Sequence, residues 1–324
     1  MRTLGVVGTM IWDTIDGRDA GAATVEEWGG IGYAFAALDA SLGEDWQLVP
    51  IVKVGRDLAP RALPFLKDLR SLAPQARFVE VPEPNPRVHL RYSDDQRRCE
   101  GLTGGVPAWT WAELGPMVLG LDALYVNFIT GFEMSLATMQ ALRHAFPGPI
   151  YCDLHSLALA RDPDGVRYYR KVDEALAWLT CCDVAQLNED EMRQMDAEPL
   201  ALAARALGLG VGAVCVTMGP RGVVHVSAGD FSHLGWAGGN RPPRGTGASL
   251  VKTALVAPEG GPLSGDPTGC GDVFGGTLVA RLLGGTALEP ALAEANRMAR
   301  RNVSYRGATG LQQHLRGTLQ SVPA

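Results

Sequence analysis

The sequence predicts a three-layer α/β/α fold with a mainly parallel central sheet and a small β excursion. Three observations predict it. From about residue 121 onward, short apolar runs alternate with stretches of helical periodicity. That pattern belongs to a parallel sheet covered on both faces. The chain has 324 residues, 46% apolar and 20% charged, enough for one large α/β domain with a full core. Residues 74–107 then break the pattern with five prolines, three glycines and the alternating stretch RVHLRYSDD, a β excursion outside the βα repeat. We take residues 1–324 as one domain with insertions at about 14–28 and 76–107.

The elements follow in order. Residues 3–9 form an apolar run, a buried strand. Ile31, Phe35, Leu38 and Leu42 share one helical face over 30–42, and Gly43 is a fitting stop. Residues 47–54 predict a strand and 58–72 a helix. ALYVNFI is a strand followed by a helix over 133–145, and PIYCDL is a strand followed by a helix over 166–179. DVAQL precedes helical segments over 189–207. AVCVTM and VVHV are further strands. Residues 235–265 are irregular around one strand, LVKTALVA, and two helices close the pattern at about 272–283 and 287–303. Ligands of such sheets sit beyond the carboxyl ends of the strands. Asp13, Asn127, Asp153, Asn188, Thr217 and Gly219 fall there.

Composition excludes several classes. The net charge of −6, from 29 Lys+Arg and 35 Asp+Glu, argues against nucleic acid or an anionic membrane as the main partner. No apolar run approaches the ~20 residues of a spanning helix. The apolar start runs into Asp13 without a small-residue cleavage site, a first strand and not a signal peptide. The six cysteines show neither zinc nor disulfide spacing, so a reducing cytoplasm is the expected compartment. No G-x-x-x-x-G-K-[ST] occurs, and GVVGTM lacks the dinucleotide-binding G-x-G-x-x-G.

The chemistry concentrates in DPTGCGDVFGGTLVARLLGG, residues 266–285. Gly269 and Gly271 flank Cys270 just before a helix. Glycines there let backbone amides gather round an anion at the positive end of the helix dipole. Asp272 beside such a hole can take the proton of a hydroxyl attacking a phosphate, or it simply caps the helix. Asp266 and Thr268 also read as turn residues that brace the loop. Asn188-Glu-Asp-Glu191 is equally a capping box.

D-x-T-G-x-G-D followed by F-x-G-x resembles the second signature of the PfkB/ribokinase family of sugar and nucleoside kinases. Four further stretches match in family order. Residues 28–58 resemble its first signature, NEDE its N-x-x-E motif, TMGPRG its T-x-G-x-x-G loop, and 294–310 its last helix and Gly-Ala loop. The resemblance implies a ribokinase-like fold and ATP-dependent transfer of a γ-phosphoryl group to a hydroxymethyl group of a sugar or sugar-like molecule. Asp272 would be the catalytic base, with Gly269, Cys270 and Gly271 as anion-hole amides. Thr217, Gly219, Gly222, Asn188 and Asn296 would lie along ATP. Asn188 and Glu191 would organise Mg²⁺ through water, and Asp266 with the 307–310 loop matches a monovalent cation site, K⁺ in this family. Asp13, Gly29, Gly30 and Asn127 would contact the substrate. The two insertions would form a β lid, through which some relatives dimerise. The partners implied are ATP and a small molecule. A nucleoside kinase and a catalytically idle sugar- or nucleotide-binding relative are the alternatives.

Three departures bear on the substrate. Ala34 stands where the first signature usually has Asn. Asp153-Leu154-His155-Ser156-Leu157 lacks both the Asn and the Arg of D-x-N-x-R. The stretch before Asp266 is longer and richer in Gly and Pro than usual. The lid carries Arg87, Arg91, Arg97 and Arg98, suited either to an acidic substrate or to a solvated strand face. The helix start is expected to lower the Cys270 thiol pKa.

Overall fold

The computed structural model describes residues 1–15, 24–92, 98–235, 250–261 and 263–318, the side chains of 91, 92 and 98–100 excepted. Residues 16–23 of the first insertion, Arg97, and the side chains of Arg91 and Arg98 therefore lie outside the described residues.

The strands are β1 (Arg2–Ile15), β2 (Val25–Gly30), β3 (Trp46–Gly55), β4 (Val79–Val81), β5 (Arg87–Tyr92), β6 (Arg98–Thr103) and β7 (Ala123–Asn127). They continue with β8 (Ile150–Asp153), β9 (Leu159–Arg161), β10 (Arg167–Tyr169), β11 (Val184–Asn188), β12 (Ala213–Thr217), β13 (Val223–Ala228) and β14 (Val251–Val256). The helices are α1 (Ile31–Ser41), α2 (Ala59–Lys67), α3 (Trp111–Val118), α4 (Leu136–Ala145) and α5 (Ala175–Leu179). After them come α6 (Glu189–Met195), α7 (Pro199–Gly208), α8 (Cys270–Leu283), α9 (Leu288–Asn302) and α10 (Leu311–Arg316).

The main sheet runs β14-β13-β12-β11-β8-β7-β1-β3-β4. Every pair from β12 to β4 is parallel. The β13 and β14 strands close one edge antiparallel. Central strands such as β7 are buried along their whole length, which is why they read as unbroken apolar runs. One face carries α1, α2, α8, α9 and α10 over a core that includes Phe35, Leu38, Phe274 and Leu292. The other carries α3 to α7 over Leu114, Met139, Trp178 and Leu202. Each such side chain contributes roughly 1.5–3 kcal/mol on burial.

The first strand serves two sheets. It pairs with β3 as far as Thr9↔Lys53. From Met10↔Gly30 it pairs with β2, and from Trp12↔Arg87 with β5. With β6 paired to β5, these strands make a side sheet over the carboxyl ends of the main strands. The first residues of the 76–107 excursion do not join it, because Val79–Val81 extends the main sheet beside β3.

Two expectations differ from the structure. The helix over 166–179 is present only as Ala175–Leu179, preceded by the β9–β10 hairpin. The cause is the turn Asp162-Pro163-Asp164-Gly165. The Asp162 carboxylate accepts from the amides of Asp164 (2.9 Å) and Val166 (2.8 Å), and Gly165 takes φ +89°. Tyr168 and Tyr169 then favour a strand. Helix α3 was not anticipated either. Gly115 and Pro116 mask its pattern, although Thr110 and Glu113 form a full capping box.

Candidate active site

Asp13 lies on the part of β1 that has left the main sheet, and it is buried. Diagonally across the β1–β2 ladder stands Gly29, the partner of Ile11, and it has no room for a side chain. A Cβ on Gly29 would stand 1.7 Å from Asp13 Oδ2. The glycine pair is therefore a space requirement of the carboxylate, and Gly30 (φ +55°) turns the chain into α1.

Helix α8 is seated by glycines as well. Gly269 caps it at φ +77°, and a Cβ there would fall 2.3 Å from the Tyr33 ring. A Cβ on Gly275 would meet Gln186 Oε1 at 2.6 Å, and one on Gly276 would meet Ala34 O at 2.9 Å. The helix thus lies hard against β11 and α1. Gln186 pins its first turn by donating to Gly271 O (2.9 Å) and to Asp153 Oδ2 (3.0 Å), while its own Oε1 accepts from Tyr151 (2.6 Å). Asp272, in that turn, is half-buried. Its Oδ1 accepts from Asn127 Nδ2 at 2.8 Å. Asn127 also donates to the Tyr125 hydroxyl, 3.1 Å away. The Asn127 amide, expected on the substrate, is turned toward Asp272.

Asn188 and Glu191 form the capping box of α6. Glu191 is buried. One oxygen accepts from the Asn188 amide at 2.7 Å, and the other faces His155 Nδ1 at 2.8 Å and Asn188 Nδ2. With both oxygens engaged, this pair does not fit a directly bound metal. Burial alone would pull the His155 imidazole down. The Glu191 carboxylate more than offsets this, with Asp153 and Asp272 behind it, and the pKa is pushed up to about 9. Burial drives Asp153 the other way, well above the usual carboxylate range. Burial also raises the Tyr33 phenol, reinforced by the charges of Asp13, Asp266 and Asp272.

The remaining expected residues sit around this centre. Thr217, Gly219 and Gly222 form the turn between β12 and β13, closed by Met218 N–H to Gly222 O (2.7 Å) and Gly222 N–H to Gly219 O (3.0 Å). Asn296 is buried and donates to Val256 O at 2.9 Å. Asp266 Oδ1 accepts from the amide (2.9 Å) and hydroxyl (2.7 Å) of Thr268, and Arg306 stands 4.0 Å from Oδ2. That arrangement braces a turn. The Cys270 amide donates to Pro267 O at 3.1 Å. The expected lowering of its thiol pKa is reversed: burial pushes it up to about 11. Ala34 and Leu157 are buried in the packing. Arg87 pairs with Asp57 at 2.8 Å.

Asp13, Tyr33, His155, Gly269 and Asp272 line one small cleft of about 60 Å³ beneath the side sheet, with Ile11, Val88, Leu90 and Ile129 as an apolar wall. Arg167 of β10 lines it too. Sequence reasoning missed Arg167 because its segment was taken as helix. It missed Tyr33, whose signal is its place three residues after Gly30. A larger cavity, about 340 Å³ beside Lys53, Trp109 and Glu133, includes neither Asp13 nor Asp272. The assignment follows the carboxylates and the helix start, not volume.

A mainly parallel sheet covered on both faces, with a side sheet over its strand ends, is a ribokinase-like fold. Residues 151–314 match the model of the pfkB family carbohydrate kinases, and the chain belongs to that family. No curated protein matches the chain in sequence. Among solved structures it is similar to a pyrophosphate-dependent kinase of the ribokinase family (17% identity, 96% of this chain and 99% of that one, TM-score 0.68). It is similar to the ribokinase of Thermotoga maritima (16%, 98% and 98%, 0.67). It also resembles the Burkholderia thailandensis nucleoside kinase solved with inosine (17%, 96% and 94%, 0.66). At such identities these likenesses show the fold. Among the described residues no helix is long and apolar enough to cross a membrane.

Proposed function

We propose that the chain transfers the γ-phosphoryl group of ATP to a hydroxyl, a hydroxymethyl group of a sugar-like small molecule, with Asp272 as general base. One observation carries this reading. Asp272 sits in the first turn of α8, oriented by Asn127 at 2.8 Å, in the same cleft as Asp13. Asp13 holds acceptor hydroxyls. As the acceptor oxygen attacks the γ-phosphorus, its proton passes to Asp272, the bond to the β-phosphate oxygen breaks, and ADP leaves. The Gly269 and Gly271 amides and the α8 dipole face the developing charge. The side sheet acts as the lid that keeps water from taking the phosphoryl group. Asn188 and Glu191 would hold the donor's magnesium through water, and the ion would shield the phosphate charge.

The β12–β13 turn supports a nucleotide on that side of α8. The bond from Asn296 to Val256 O favours a second reading, a pyrophosphate donor. The Asn296 amide is committed to Val256 and not to an open base slot. The test is product formation with ATP or pyrophosphate, each against sugars, polyols, sugar acids, sugar phosphates and nucleosides. Asp272→Asn should lower kcat roughly a thousandfold, within the range of general-base contributions. Turnover unchanged in that variant overturns the base assignment. A nucleoside as the preferred acceptor replaces the sugar-like substrate.

A further inference from the structure

A further cavity, of about 330 Å³, lies between the antiparallel edge of the main sheet and the start of α9. Ser227 of β13 lines it and pairs with Ala213, at the amino end of β12. The β12–β13 turn, on the side given to the phosphate donor, is at the other end of that strand. The cavity shares no lining residue with the cleft around Asp13 and Asp272.

His225 of β13 also lines the cavity and is 1% exposed. Neither ring nitrogen has a hydrogen-bond partner among the described residues. Glu289 Oε1 stands 3.8 Å from Nε2, beyond hydrogen-bonding distance. A buried donor and a buried acceptor left unmade are costly, so this imidazole calls for a partner from the cavity. Burial pulls its pKa below the ordinary value, Glu289 opposes the shift and Lys252 adds to it. At neutral pH the ring therefore offers one N–H and one lone pair. With the lone pair on Nε2, it and Glu289 Oε1 are two acceptors with space between them for a shared donor. An ammonium about 2.9 Å from each would bond both.

The charged groups around the ring are of both signs. Lys252 lines the cavity from β14. The first turn of α9 adds the positive end of a helix dipole, and its cap residue, Ala287, gives no side-chain hydrogen bond to the amides there. Opposed to these are two carboxylates, Asp230 in the turn after β13 and Glu289 in the first turn of α9. An anion alone would meet two like charges. A cation alone would meet Lys252 and the helix start. A molecule carrying both signs close together finds a partner for each. Among the described residues no group of three metal-ligating side chains forms, so the histidine is not read as a metal ligand.

We infer that this cavity is a second binding site, for a small zwitterion of the amino-acid class. Its carboxylate lies toward Lys252 and the α9 amides, and its ammonium toward Glu289, Asp230 and the lone pair of His225. The inference is independent of the phosphotransfer reading of Asp272.

The experiment titrates the full chain by calorimetry with the protein amino acids, and with acetate and methylammonium as single-charge controls. At least one neutral amino acid should bind with a Kd about tenfold or more below either control, the scale of one charged hydrogen bond. Lys252→Gln and Glu289→Gln should each raise that Kd about 2- to 5-fold, as expected of exposed charges. On acetate the two should part, Lys252→Gln weakening it and Glu289→Gln tightening it. His225→Leu should raise the amino-acid Kd about tenfold or more. Melting temperatures check its folding, and the two exposed variants carry the test if it does not fold. Acetate or methylammonium bound as tightly as any amino acid, no amino acid bound, or a Kd indifferent to both exposed substitutions overturns the inference. So does amino-acid binding lost in Asp272→Asn, which would put the ligand in the cleft. Binding kept in Asp272→Asn supports the separate site, whatever that variant does to turnover.

Discussion

Two segments bring charge to the same cleft by opposite means. Residues 266–276 place Asp272 at the start of a helix wedged between β11 and α1, with no space for a methyl group at Gly269, Gly275 or Gly276. Residues 159–169 place Arg167 on a short hairpin whose Val166, Tyr168 and Tyr169 are exposed. The first segment is part of the core, so its chemistry cannot move without the fold. The second is attached at an edge, so it can change with little cost to stability.

Gly269→Ala should test the rigid side hardest. It forces a left-handed φ on a residue with a Cβ and drives that atom into Tyr33. The strain and overpacking should cost about 2–4 kcal/mol, and kcat should fall at least about tenfold as Asp272 shifts. Denaturant midpoints and initial rates measure both. An intact rate in a destabilised protein would separate helix seating from catalysis.

Gly165→Ala tests the hairpin side with a smaller effect. Its Cβ would lie 2.8 Å from Leu102 O at φ +89°. The local strain of about 1–2 kcal/mol should tilt the hairpin and raise the KM for the acceptor a few-fold. The kcat should stay near wild type. A fall in kcat equal to the rise in KM would mean that hairpin and base are one unit.

His155→Gln should give the smallest change, visible only against pH. The folded pKa of about 9 lies above the ordinary imidazole value of 6.5. The stabilisation from protonated His155 is therefore complete below about pH 6.5 and is lost as pH rises through about 9. Midpoints taken at several pH values across that window should fall for wild type and stay flatter for the variant. Equal slopes would remove His155 from the account.

Much of this was legible in the residues. The apolar runs of β1, β3, β7, β8, β11 and β12 pointed to the sheet, because strands buried on both faces are mostly apolar. Gly29, Gly30 and Gly269 could be picked out beside Asp13 and Asp272, and a Cβ at each would collide, whereas Gly271 has open space. What stayed hidden depends on partners distant in sequence. Nothing near Asn127 says that its amide turns to a residue 145 positions away. Nothing near Glu191 says that His155, 36 positions earlier, faces it. For Cys270 the helix start argued for an acidic thiol, and burial decided otherwise. The D-P-D-G turn before Arg167 was readable in itself. The tyrosines after it were absorbed into a helical period, and the basic residue went with them.

The 14 residues of β1 pass without a break from the main sheet into the side sheet. The change of partners falls at Thr9 and Met10. There the buried Asn85 ties Met10 O (2.8 Å) to the amide of Gly55 (3.0 Å). A cover mounted this way has no loop at that root to act as a pivot. It can lift only by bending a hydrogen-bonded ribbon, so it behaves as a leaf spring clamped at one end. Such a spring returns by itself, and its restoring force is set by the ladder at its root.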